Sequence, residues 1–128
     1  MHPTITEYRM ALNKDMLSIY ENFELDRHMG WPVVVAERKG KIIGFLGTQD
    51  RKEMVVAGPL EVAIKNKGFV VMRLIEAYDN LMRSLGMKEY WFSVDAKNNV
   101  KWESQVKDSG FCAKIEDVGE ESWYKRQL

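Results

Sequence analysis

The sequence has little of what several classes of protein require. Cys112 is the single cysteine among 128 residues, so no disulfide can form within the chain. No apolar run approaches the roughly 20 residues that cross a bilayer, and the first residues lack the pattern of a secretory signal. Lys+Arg and Asp+Glu both number 19, and this balance disfavours non-specific binding to nucleic acid. We therefore expect a soluble, cytoplasmic protein without a membrane or nucleic-acid partner.

Residues that commonly carry metal or thiol chemistry are also scarce. The two histidines, His2 and His28, have no spacing typical of metal ligands, so the sequence predicts no metal site. No residue near Cys112 in the sequence would activate its thiol, which favours a small core residue. The four tryptophans are expected to be mostly structural, although Trp31 and Trp102 could line an opening or a partner surface.

What the sequence does have is enough apolar material for one packed domain over residues 1–128, with 45% hydrophobic and 11% aromatic residues. Periodicity predicts a first strand at 4–8 and a helix that begins at Asn13 or Lys14, with Asn13 as a cap. A hairpin is predicted from the runs at 33–37 and 41–48 around Gly40. The strand at 54–64 should contain a bulge or bend at Gly58-Pro59, because proline cannot donate to a ladder.

A second amphipathic helix is predicted from Phe69 to Leu85, ended by Gly86. Asp79 falls on its polar face, four residues before Arg83, a spacing that favours an ion pair. A strand at 90–94, a weaker helix at 98–109 and a hairpin formed by 111–118 and 122–128 follow. The strand–helix–strand unit from 54 to 94 requires a crossover and a parallel pair, so we expect a mixed α/β sheet with helices on its faces.

Three stretches of the sequence resemble the GNAT family of acyl-CoA-dependent N-acetyltransferases. LEVAIKNKG (60–68) looks like the family's fourth strand and pyrophosphate loop, and EAYDNLMRSLGMKEYWFSVDAKN (76–98) looks like its helix, fifth strand and following Asn. KDSGF (107–111) looks like the end of its last helix. The resemblance covers about Val33 to Leu128 and implies the acyl-CoA N-acyltransferase fold, a mixed sheet flanked by helices.

The resemblance also implies acetyl-CoA as a co-substrate, held in a V-shaped opening between the fourth and fifth strands. The helix that follows the fourth strand would bind the pyrophosphate at its N-terminus, where unpaired N–H groups and the helix dipole favour an anion. The implied pantetheine-binding positions are Leu60, Val62 and Ile64. The implied phosphate-binding positions are Lys65, Asn66, Lys67, Gly68, Phe69, Val70 and Val71, and Asn98 or Asn99 would also contact the cofactor.

The sequence departs from the family at two functional positions. The family loop reads roughly Arg/Gln-x-x-Gly-x-Gly/Ala, whereas Gly68 is the only glycine here. Glycine allows positive φ and close approach of a ligand to the backbone, so we expect CoA binding that is weakened or rearranged. Val106 stands where the family commonly has a tyrosine that protonates the leaving thiolate, and valine cannot transfer a proton.

Two functions follow from this resemblance. The first is transfer of an acetyl group from acetyl-CoA to a primary amine of a small molecule or protein, with Glu61 as the base. The fourth-strand N–H groups would polarise the thioester carbonyl. The second is a catalytically inactive module of the same fold that acts as an interaction or structural protein, for instance in a virion, as a homo-oligomer or in a larger assembly. The glycine-poor loop and Val106 favour the second function, and the resemblance as a whole favours the first.

Overall fold

The computed structural model describes residues 5–23, 25, 29–51, 54–64, 68–95 and 112–128. Within these residues, seven strands form one sheet in the order β1-β2-β3-β4-β5-β7-β6, and two helices pack on it. All neighbouring strands are antiparallel except β4 and β5, which are parallel. The elements are β1 (Thr6–Met10), α1 (Asn13–Asn22), β2 (Gly30–Arg38), β3 (Lys41–Arg51), β4 (Met54–Val62), α2 (Gly68–Ser84), β5 (Glu89–Asp95), β6 (Ala113–Val118) and β7 (Glu121–Gln127).

The predicted element order and the predicted parallel pair are both confirmed for these elements. The helix predicted at 98–109 lies outside the described residues. The first strand was placed too early at 4–8, since β1 extends to Met10. No helix in the described part of the chain is both long and apolar enough to cross a membrane.

Helix α1 covers one face of the sheet and packs its fully buried Ile19 against a cluster that includes Val33, Val35 and Phe45. The prediction that Asn13 caps this helix is wrong. Leu12 is the cap residue, and its N–H donates to the carboxylate of Asp15 at 2.7 Å. Asp15 is buried, so its carboxylate performs the cap function from inside the first turn.

A tight turn joins β2 to β3, as the sequence predicts. Its two central residues, Lys39 and Gly40, have φ of 53° and 76°. This left-handed pair is typical of a two-residue hairpin turn whose twist matches that of the flanking strands. Gly40 adopts its positive φ without a steric penalty, since glycine has no side chain that would clash with the backbone.

Helix α2 covers the opposite face of the sheet. Leu74 and Tyr78 are fully buried, and Val70, Ile75 and Met82 are nearly so, in a cluster with residues of β2, β3, β4 and β5. Gly86, with φ of 80°, follows the end of the helix as predicted. The periodicity that predicts this helix also places Leu85 on its apolar face, which is wrong, because Leu85 follows the helix and is 57% exposed.

Candidate functional site: an opening between two strands

The sheet is nearly divided between β4 and β5. One pair in the described residues, Val56 and Trp91, joins these two strands. Beyond it, β4 continues alongside β3 as far as the pair of Val62 with Gly44, and β5 continues alongside β7. The two strands therefore leave an opening toward their carboxyl ends, the place where open α/β sheets bind ligands.

A β-bulge begins directly after the last shared pair. Leu46 of β3 is opposite Leu60, whereas Thr48, two residues on, is opposite Ala57, three residues back along β4. The extra residue of β4 lies at Gly58-Pro59, so the predicted bulge is confirmed. Gly58 has φ of 137°, which side-chain-bearing residues rarely adopt, and Pro59 has no N–H to bond to a neighbouring strand.

The backbone of β4 presents alternate polar groups to this opening. The N–H of Ala63, directly after the strand, donates to the carbonyl of Ile43 at 2.7 Å. In an antiparallel ladder, residues alternate between those that bond to the partner strand and those whose N–H and C=O groups point away from it. Leu60 and Val62 are in the second set, so their backbone groups point toward the opening.

The side chains of β4 alternate between the two faces of the sheet. Leu60, Val62 and Ile64 pack in the cluster beneath α2. Glu61 is paired across the ladder with Phe45, which is in the cluster beneath α1. Glu61 is half-buried and lies on the α1 face beside the opening. Sequence alternation predicted this opposite orientation.

Helix α2 starts at Gly68, six residues after Val62 at the end of β4. Residues 65–67 between them lie outside the described part of the chain. The first few N–H groups of an α-helix have no partner within the helix, and among the described residues Gly68, Phe69 and Val70 supply them. No acidic residue lies in this first turn, so no nearby carboxylate of the helix opposes an anion. The predicted contact residues Lys65, Asn66, Lys67, Asn98 and Asn99 lie outside the described residues, as does Val106.

Gly68 does not have the positive φ for which the family's phosphate loop uses glycine. Gly68 is exposed, its φ is not positive, and a Cβ added there would meet nothing within 4 Å. The residues after it are helical, so Val70 and Val71 need no positive φ. Phe69 is 67% exposed, and the guanidinium of Arg73 lies 5.1 Å from its ring centre.

Helix α2 is fixed to the sheet by buried polar side chains that sequence reasoning missed. The hydroxyl of Thr48 donates to the carbonyl of Pro32 at 2.7 Å and lies 2.6 Å from the hydroxyl of Tyr78. Because the Thr48 proton is used on Pro32, Tyr78 is the donor to Thr48. Burial raises the pKa of Tyr78 to about 12.

The next residue of α2, Asp79, corrects a second prediction. It is 4% exposed and does not lie on a polar face with Arg83, which instead donates to Asn80. Its carboxylate accepts a hydrogen bond from the hydroxyl of Tyr90 at 2.7 Å and from Nε and Nη2 of Arg126, each at 3.2 Å. The rings of Tyr78 and Tyr90 meet edge to face, with centres 5.2 Å apart.

A similar buried acid–arginine pair lies far along the sheet, beneath α1. Arg9 of β1 donates to Asp15 at 2.6 Å and also bonds to Glu37. The hydrogen bond from Arg9 is the main cause that lowers the pKa of Asp15. The sequence held one signal for the capping role of Asp15, which is that an acidic residue stands in the first turn of a predicted helix.

Cys112 and Trp31 were the other residues considered from the sequence. Cys112 lies just before β6, half-buried against Val94 and Tyr124, and burial raises its pKa to about 11. Its thiol is therefore protonated at neutral pH. Trp31 is 53% exposed at the start of β2.

Comparison with known proteins shows which fold this is. The chain matches no protein-family model and no curated protein. It is similar to the solved structure of a GNAT-family acetyltransferase from Staphylococcus aureus Mu50, with a TM-score of 0.70, 12% identity and coverage of 97% of this chain and 99% of that one. The chain has the GNAT acyl-CoA N-acyltransferase fold, as the sequence resemblance predicted.

Two further similar structures were solved with coenzyme A. One is the PaiA N-acetyltransferase of Thermoplasma acidophilum, with a TM-score of 0.64, 13% identity and coverage of 90% of this chain and 68% of that chain. The other is the N-acetylglutamate synthase of Neisseria gonorrhoeae, complexed with coenzyme A and L-arginine, with a TM-score of 0.70 and 15% identity. This chain is covered over 98% of its length and spans 34% of the synthase.

Proposed function

We propose that the chain is a GNAT-family N-acetyltransferase that transfers an acetyl group from acetyl-CoA to a primary amine. The observation that carries this proposal is the opening between β4 and β5. Backbone groups of Leu60 and Val62 point into it, and the N-terminus of α2 follows closely along the chain.

The groups around the opening fit the chemistry of acetyl-CoA. The pantetheine arm carries amides, which need both donors and acceptors, and the free side of β4 offers N–H and C=O groups in alternation. The pyrophosphate needs N–H donors, and Gly68, Phe69 and Val70 at the start of α2 supply them without a positive φ. We therefore assign the pantetheine to Leu60, Val62 and Ile64, and the pyrophosphate to the first turn of α2.

Glu61 is the proposed base, because it lies beside the opening on the face away from α2. It would accept the proton that the amine loses as the amine nitrogen forms a bond to the thioester carbonyl carbon. The carbon–sulfur bond then breaks, and coenzyme A leaves as its thiolate, which takes a proton from water. An N–H group of β4 would stabilise the developing oxyanion, as preorganised donors do in acyl transfer. The amine would approach from the α1 face, and its identity, like the cytoplasmic location, stays a prediction.

Titration calorimetry with acetyl-CoA, followed by an assay of acetyl transfer to a panel of primary amines, tests this function. We expect binding by the unmodified protein and a loss of turnover of about 10²–10⁴-fold in Glu61→Gln, with cofactor affinity unchanged. Glu7→Gln is the matched control, because the side chain of Glu7 is 65% exposed on the outer strand β1. Equal turnover in the two variants would remove Glu61 from the reaction.

One observation favours the alternative of a non-catalytic interaction module. Phe69, at 67% exposure, stands in the proposed phosphate-binding turn, where the family usually has small residues. A bulky apolar side chain at that place suits contact with another protein better than contact with a phosphate. Absence of any acetyl-CoA binding at millimolar concentration would reject the enzyme and leave this alternative.

A further inference from the structure

The two parts of the sheet on either side of the opening have little direct connection. Strands β1 to β4 form one part and β5 to β7 form the other, and within the described residues one strand pair, Val56 with Trp91, joins them. Pairings elsewhere in the sheet extend over several residues. Something besides the ladder must therefore hold the opening at a fixed width.

Helix α2 makes that connection through two consecutive residues. Successive helical side chains differ in direction by about 100°, so Tyr78 and Asp79 reach toward different parts of the sheet. Tyr78 bonds to Thr48 of β3, in the first part. Asp79 bonds to Tyr90 of β5 and Arg126 of β7, in the second part.

The hydrogen bonds to Asp79 are buried and charge-assisted, so they hold β5 and β7 firmly against α2. Asp79 is 4% exposed, and both of its carboxylate oxygens accept hydrogen bonds. Oδ1 accepts from the hydroxyl of Tyr90, and Oδ2 accepts from the guanidinium of Arg126. Removing one partner of a buried charged pair leaves the other charge without compensation, so such a contact is not readily exchanged for water. The edge-to-face contact of Tyr78 with Tyr90 joins the two sets of bonds.

We propose that Asp79 is a positioning residue that, together with Tyr78, sets the width of the opening between β4 and β5 and thereby the affinity for the acyl-CoA arm. This inference rests on the proposed function for the ligand, but the width itself is a property of the free protein. Asp79 touches no reacting atom and acts through Tyr90 and Arg126. Loss of its charge lets the second part of the sheet shift relative to the first.

The width can be measured without ligand by pulsed electron spin resonance between two nitroxide labels. Ala63→Cys and Glu121→Cys place the labels at exposed positions, one just after β4 and one opposite Asp95 at the end of β5. Cys112→Ala first removes the native thiol. In this background we expect Asp79→Asn to shift or broaden the distance distribution. In the unlabelled protein we also expect Asp79→Asn to weaken acetyl-CoA binding about 10-fold, equivalent to about 1.4 kcal/mol.

Asp15→Asn is the matched control. Asp15 is likewise 4% exposed and paired with an arginine, but it bonds to Arg9 of β1 and to the N–H of Leu12. Arg9 in turn bonds to Glu37 of β2, so these contacts all lie on the first part of the sheet. We expect it to destabilise the protein while leaving the distance distribution unchanged. If Asp79→Asn does not fold, Tyr90→Phe replaces it, because it removes one bond to Asp79 and keeps the ring.

The outcomes separate this inference from the proposed function. A distance change in Asp79→Asn or Tyr90→Phe but not in Asp15→Asn supports the positioning role, even if acetyl-CoA fails to bind and the enzyme proposal is rejected. Distances that are unchanged, or that change equally in the Asp15 control, overturn it. Unaltered acetyl-CoA affinity in a variant with an altered distance overturns the link to the cofactor.

Discussion

The buried hydroxyl of Tyr78 makes a prediction about stability at alkaline pH. In the unfolded chain its pKa is about 10, and burial in the folded protein raises the pKa to about 12. Because the folded pKa is the higher one, the unfolded state releases its proton first as the pH rises. The contribution is complete below pH 10 and is lost as the pH rises to 12, by about 1.4 kcal/mol at pH 11 and about 2.7 kcal/mol in total.

Urea denaturation of the unmodified protein and of Tyr78→Phe at several values from pH 9 to 11 measures this contribution. Other groups titrate in this range, so the quantity of interest is the difference in unfolding free energy between the two proteins. We expect the advantage of the unmodified protein to shrink by about 1.4 kcal/mol between pH 9 and 11. Thr48→Val is the control, since it removes the hydrogen-bond partner but keeps the phenol. A difference between the unmodified protein and Tyr78→Phe that does not vary with pH would refute the reasoning.

Three further predictions concern the free energy of unfolding, measured by urea denaturation. Asp15 has a lowered pKa in the folded protein, so its contribution is present above about pH 4 and is lost as the pH falls through the folded value. Asp15→Asn should flatten that part of the acid profile, and a profile that stays as steep contradicts this. Leu74→Ala should cost about 2–5 kcal/mol because Leu74 is fully buried, whereas Met72→Ala, at a 55% exposed site, should stay within about 0.5 kcal/mol. Gly86→Ala should lower the free energy of unfolding by about 1 kcal/mol because φ of Gly86 is 80°. Gly68→Ala should not lower it, and equal losses in the two variants would refute the helical φ at Gly68.

Much of the fold was predictable because its signals are local. Alternating and helical periods gave the element order, and Gly40 and Gly86 marked a turn and a helix end that the structure confirms. Gly58-Pro59 predicted the bulge because proline removes a donor from any ladder. Element ends shifted by a few residues, since tertiary contacts rather than local preference decide where a strand stops.

The candidate site was predictable in part. The resemblance named Leu60 and Val62, and strand alternation placed Glu61 on the other face, where the structure has it. The network around Asp79 could not be predicted, because its arginine partner lies 47 residues further along the chain. From the sequence, a polar face with Arg83 was the simpler interpretation.

The sequence by itself determined the order of strands and helices, the turns between them and the parallel direction of β4 and β5. These depend on the conformational preferences of single residues and on contacts between near neighbours. The tertiary structure alone decided that β4 and β5 share one pair and then separate, and that Asp79 is buried and bonded to residues of β5 and β7. Both depend on which distant segments come together, because a strand can bond on either edge and a carboxylate is buried only where a distant partner compensates its charge.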